Sequence, residues 1–183
     1  MLDAIALKLI TALSGFLFEG YLDAFKSVDI EGAPNWYQKS GSSVVLQGYG
    51  YEIGGIKSID IAKENCKSDL RNKINKLIQI SIEDNFKHIK NQKEKEIVRL
   101  YAIDANLPIF VDKNLKFEKI EHFDAEEKGV FQKARIAQTF VGCAVSKQSV
   151  LDYEKERLLE ISKAVINFKS DEAIKELEAE IGK

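Results

Sequence analysis

Proline, histidine and cysteine are each present only twice, and tryptophan once, in a chain of 183 residues. The prolines, Pro34 and Pro108, leave long stretches where regular elements can run uninterrupted. The histidines, His88 and His122, lie in different segments, and neither belongs to a ligand-spaced motif such as H-E-x-x-H. No G-x-S-x-G elbow occurs, and no cysteine–histidine pair carries a nucleophile signature. The cysteines, Cys66 and Cys143, form no disulfide framework by count. We expect two small buried apolar thiols. The alternative, a single disulfide, requires Cα atoms within about 7 Å. Charge of one sign is also missing. Twenty-seven basic residues against 29 acidic ones give a net charge of −2, with no general attraction to nucleic acid.

What is present is an ordinary globular composition, 45% hydrophobic and 31% charged, of single-domain length. The chain is organised around Ser43–Tyr51 (SVVLQGYGY), which runs into Glu52-Ile53-Gly54-Gly55. β-Branched and aromatic residues, then a glycine pair, predict a strand, a tight connection and a helix packed back on the strand. Gly48-x-Gly50 invites a dinucleotide-loop reading, but the third glycine falls at position 54 where the fingerprint needs it at 53. Without a βα series there is no pyrophosphate crevice either. The glycines are instead expected to permit close approach of another backbone.

Residues 2–25 are apolar on most faces (Leu9, Leu13, Phe16, Leu17 and Tyr21 among them) and predict a helix. Within it the nearly continuous apolar run 4–18 is shorter than the ~20 residues of a membrane span, and has no basic start or small-x-small cleavage site. We expect it to dock on the domain or a partner, with an interfacial membrane helix as the alternative. Residues 29–43 read as a connection in which the lone Trp36 packs under its own loop. Ile59, Ala62, Cys66, Leu70, Ile74 and Leu77 then recur at spacings of three and four, the clearest amphipathic helix in the chain. Ser58 is placed to cap it. The mixed charges of 87–96 suit a solvated helix end or turn, followed by a short helix over 97–106 that ends before Pro108. Residues 109–112 and 115–123 read as strand, and 130–145 as the second arm of an antiparallel hairpin. A helix starting at Ser146 or Ser149 and an acidic amphipathic segment over 171–181 close the chain.

The expected fold is α+β: a small antiparallel or mixed sheet of about three strands packed against a long helix, with an extra apolar N-terminal helix. Its expected divisions are 1–28 for that helix, 29–165 for the α+β domain and 166–183 for a C-terminal acidic helix or tail.

Ala33-Pro34-Asn35-Trp36-Tyr37, Leu46-Gln47-Gly48-Tyr49-Gly50, the helix bearing Ala62 and the stretch Thr139–Val145 together resemble the Lpp-twenty family of bacterial envelope lipoproteins. The similarity spans about residues 33–80 and 115–160, with Pro34, Trp36, Gly48, Gly50 and Ala62 as its marker positions. It implies a non-enzymatic protein of the periplasm or outer membrane, lipoprotein-like and active in surface structure, motility or flagellar assembly. It implies no cofactor and no metal. Its expected partners are proteins, either copies of itself in a homo-oligomer or a related envelope lipoprotein, with membrane contact through the N-terminal helix. The chain has no lipobox cysteine and no standard signal peptide, so a cytoplasmic or periplasmic domain binding a small ligand is the alternative.

Overall fold

The computed structural model describes residues 30, 32–38, 44–54, 57–128 and 133–181. The expected N-terminal helix, with Leu9, Leu13, Phe16, Leu17 and Tyr21, lies outside them. The elements run β1 (Val45–Gly54), α1 (Ser58–Phe86), α2 (Gln92–Ala102), α3 (Leu107–Asn114), β2 (Lys116–Lys128), β3 (Lys133–Ser146) and α4 (Lys147–Ile181). The architecture is α+β, with one three-stranded antiparallel sheet in the order β1-β3-β2. The chain divides into two units. The described part of one comes from the ranges Glu19–Asn75 and Asn106–Val150, and that of the other from Lys76–Ala105 and Leu151–Lys183. α1 and α4 each contribute residues to both, and α4 continues unbroken across residue 166 to include the acidic segment.

In the sheet unit, Leu46, Gly48 and Gly50 alternate inward along β1, and Thr139, Val141, Cys143 and Val145 share that face from β3. Ala62, Cys66, Leu70 and Ile74, each one helical turn apart on α1, are fully buried. That is the apolar stripe the 3.6-residue period predicts. One expectation fails in this unit. Residues 109–112 are not strand but the middle of α3, where Pro108 sits in the first turn and its missing N–H breaks no helical hydrogen bond. Leu107 and Val111, four apart, are buried, a spacing that a helix and not a strand puts on one face.

In the helical unit, α2 begins earlier than the periodicity suggests. Asn91 caps it, its side-chain oxygen accepting from the Lys93 amide at 2.9 Å, so half of the charged run is helix. The helix ends at Ile103, which is extended, well short of Pro108. Its last carbonyls are not left bare: Gln79 Nε2 donates to Ala102 O at 3.0 Å, and the Arg157 guanidinium donates to Tyr101 O. Ion pairs Lys93–Glu172 and Lys169–Glu94 tie α2 to α4.

Glu154, only 3% exposed, accepts a hydrogen bond from the Ser81 hydroxyl between α4 and α1. Burial pushes its carboxyl above the ordinary glutamate value of 4.5, against the smaller opposing effects of Ser81 and Lys155. A raised folded-state pKa means that the ionised form destabilises this unit, so the contribution is fully present in acid and lost as pH rises. Glu154→Gln, which keeps an acceptor for Ser81, is therefore expected to melt higher than the native chain at neutral pH. The gap should close below the ordinary glutamate range, as thermal melts across a pH series will report. Equal differences at every pH would refute the assignment.

Candidate functional site

Gly48 and Gly50 provide the close backbone approach that their place in the strand pattern predicts. A Cβ at position 48 would lie 2.5 Å from Leu70 Cγ and 2.9 Å from the Cys66 carbonyl oxygen. One at position 50 would overlap the Ala62 carbonyl oxygen and sit 2.5 Å from the Cys66 amide nitrogen. The backbone of α1 thus lies directly on β1, with the fully buried Ala62 at the point of contact. The approach has a covalent consequence: Cys66 and Cys143, expected as free thiols, are a disulfide with Cα atoms 6.2 Å apart. The crosslink joins α1 to β3 and is fully buried on both sides. Seventy-seven residues separate its ends, so nothing local in the sequence announces it.

The same helix closes one edge of the sheet. Asn65, Asp69 and Lys73 stand at four-residue spacing on α1. Asn65 Nδ2 donates to Tyr51 O at 2.9 Å, Asp69 accepts from the Tyr49 amide at 2.9 Å, and Lys73 Nζ donates to Gln47 O at 3.0 Å. Alternate residues of β1 thereby hand their outward backbone groups to side chains, leaving little for another strand to pair with.

On the sheet face away from α1 sits an aromatic cluster. A turn closed by Tyr37 N–H to Pro34 O at 2.9 Å presents Trp36 and Tyr37 to the strands. Tyr37 packs edge-on against Phe140 at 5.0 Å and Tyr49 at 5.3 Å, and Phe123 approaches Phe140 at 6.2 Å. The Trp36 ring covers Gly142, where a Cβ would come within 3.0 Å of it. Its indole N–H donates to Glu121, and the Lys119 ammonium lies 5.7 Å from its centroid. Burial, and then the charge of Asp69, push the Tyr37 and Tyr49 phenols up to about 12. These are packing aromatics with no titration near neutrality.

Among the described residues the opposite edge is open: β2 pairs with β3 alone there, and Phe117, Ile120 and Phe123 are 39%, 42% and 43% exposed on it. A register shift between Phe117 and Lys119 leaves Glu118 as an extra residue. Bulges and lysines of this kind restrain indiscriminate pairing, but they do not cover the strand.

Among the described residues, the polar side chains are engaged mainly with one another and with backbone. His122 Nδ1 lies 2.7 Å from Thr139 Oγ1, which lies 3.0 Å from Ser58 Oγ. Both hydroxyls are buried and engage each other, so the Ser58 side chain is held in the core at the first residue of α1. His88 is exposed beyond the end of α1. Among the described residues, no group of three or more His, Cys, Asp or Glu side chains is arranged to hold a metal ion. Among them too, no helix is long and apolar enough to cross a membrane. In the helical unit an open cleft of about 470 Å³ lies between the end of α2 and α4, lined by Leu100, Tyr101, Ile103, Arg157, Lys163 and Ala164 among others. No protein-family model matches the chain, and no curated protein is significantly similar to it.

Proposed function

We propose that this chain is a non-enzymatic structural or assembly protein of a bacterial cell envelope, similar to the Lpp-twenty lipoproteins and of a flagellar or surface setting, which acts through protein contacts and self-association. The observation that carries this reading is the Cys66–Cys143 disulfide. Disulfides form and persist in oxidising compartments such as the periplasm, and cytosolic reductants keep thiols reduced. The β2 edge, which no described strand covers and which carries three exposed apolar residues, supplies a surface on which a partner's strand or aromatic side chains would gain contact. A small-ligand reading has the cleft beside α2 in its favour, since its volume suits one. That cleft is open and its lining is rich in charge, which favours a protein surface over an enclosed ligand.

The test is thiol counting on protein recovered from its native cell, unfolded without reductant in a mass-shifting maleimide. No addition is expected before reduction and two after it, with the protein in the periplasmic or outer-membrane fraction. Two labelled thiols before reduction, in a cytosolic fraction, would overturn the envelope reading.

A further inference from the structure

The first half of β2 is exposed on both faces as well as along its edge. Lys116 to Ile120 form an unbroken exposed run, whereas β1 alternates between half-buried and buried over Val45–Gly50. The register with β3 fixes which way each residue projects, because directly opposed residues of an antiparallel pair share a face. Phe117 and Ile120 stand opposite Cys143 and Val141, on the face that carries α1. Lys116, Lys119 and Glu121 stand opposite Ala144, Gly142 and Phe140, on the face that carries Trp36. Glu118, the extra residue at the register shift, accepts from Gln47 Nε2 at 3.5 Å, and Gln47 also stands opposite Ala144. Glu118 therefore belongs to the Trp36 face too.

This half of the strand is complementary to itself. Turned about a two-fold axis between Glu118 and Lys119, it sets Lys116 opposite Glu121, Phe117 opposite Ile120 and Glu118 opposite Lys119. Each charge meets its opposite, and both members of each pair project to one face. The bulge makes this register possible, since a regular strand turned about a point between two neighbours opposes residues of different faces. Nearby registers lack the match. Centring on Lys119 or Glu121 sets like charges together, and centring on Ile120 opposes Phe117 to Phe123, which packs on the Trp36 face. The groups already engaged keep capacity to spare. Glu121 accepts from Trp36 through one carboxylate oxygen, and the Lys119 ammonium beside that ring has three donors.

We propose that β2 pairs antiparallel with β2 of a second copy of this chain, joining two sheets into one of six strands in the order β1-β3-β2-β2-β3-β1. The assembly stops at two. Both of its outer edges are β1, whose outward backbone groups are taken by Asn65, Asp69 and Lys73. Lys73 also pairs with Asp69 at 2.7 Å, which braces the two side chains over that edge. Head-to-tail addition of β2 to β1, the route to an open fibre, meets the same obstruction. This rests on the reading of the chain as self-associating, and adds to it an edge, a register and a reason for closure.

Analytical ultracentrifugation of the full chain over a range of concentrations should show monomer and dimer and no larger species. Ile120→Lys puts a charge at an exposed edge position and acts twice in a two-fold dimer, so the dissociation constant is expected to rise about tenfold or more. Circular dichroism and the melting temperature check that the variant folds. The register is read by mixing Phe117→Cys with Ile120→Cys chains under mild oxidation. The mixture should crosslink and neither variant alone should, because identical positions lie three residues, about 10 Å, apart along the paired strands. A dissociation constant unmoved by Ile120→Lys, or crosslinking no greater in the mixture, overturns the β2 pairing and leaves self-association to another surface. Larger species that grow with concentration overturn the closure at β1. A native chain that stays monomeric at every concentration overturns both the pairing and self-association. Slow amide exchange along Lys116–Glu121 in that monomer would assign the edge to another segment of the same chain.

Discussion

Replacing both Cys66 and Cys143 by alanine is expected to lower the stability of the sheet unit by roughly 4 kcal/mol. The magnitude follows from the separation of 77 residues between the crosslinked positions. Closing so long a loop removes a large part of the unfolded chain's freedom, and the chain-entropy estimate for that length is about 4–5 kcal/mol. For a protein of this size it corresponds to a fall in melting temperature of about 8–16 °C. Because both sulfurs are fully buried, a reductant added to the folded protein has no access to them. The native chain should therefore melt at nearly the same temperature after brief exposure to dithiothreitol, and much lower after unfolding in dithiothreitol followed by refolding in it. A double-alanine variant that melts within about 2 °C of the native chain (about 1 kcal/mol or less) would show that the link constrains little.

Gly50→Ala is expected to be the most damaging glycine-to-alanine change among the described glycines. The new Cβ would fall on the Ala62 carbonyl oxygen and 2.5 Å from the Cys66 nitrogen, both backbone atoms of α1. A flexible side chain could turn aside, but a helix backbone cannot without lifting off the strand. Lifting it would open the stripe of Ala62, Cys66, Leu70 and Ile74 and strain the disulfide beside it. Overpacking of this kind costs about 3 kcal/mol or more. Gly54→Ala is the matched control, since its nearest neighbour is Glu52 Oε1 at 3.9 Å. Losing a glycine there restricts the unfolded chain and should leave stability unchanged or raise it by up to about 1 kcal/mol. Urea titrations of the two variants give the comparison directly. Equal stability in both would mean that α1 does not rest on β1 through Gly50.

Elements whose pattern and neighbours agree are legible in the residues alone. The period of α1 marks its buried stripe, and the glycines of β1 point to a close backbone approach. The Thr139–Val145 end of the run 130–145 reads as the most buried part of the hairpin, and Phe140, Val141 and Cys143 within it are fully buried. The strand expected at 109–112 fails for a simple reason. Four apolar or acidic residues after a proline fit a strand as well as a helix turn, and the choice falls to Leu107 and Val111, which the packing of the unit buries together.

The interaction surfaces are less legible, because they are defined by what is left uncovered. Asn65, Asp69 and Lys73 look like any solvated helix face until β1 lies beneath them and takes their hydrogen bonds. β2 becomes an open edge only through the strand order that puts β3 in the middle.

The sequence by itself determined where the helix α1 and the strand β1 would form and that they would pack closely, because periodicity and glycine act over a few residues. Only the tertiary structure decided that Cys66 and Cys143 join and that, among the described residues, one sheet edge closes while the other stays open. Those outcomes depend on groups tens of residues apart arriving at one place, and no local pattern of side chains encodes such a distance.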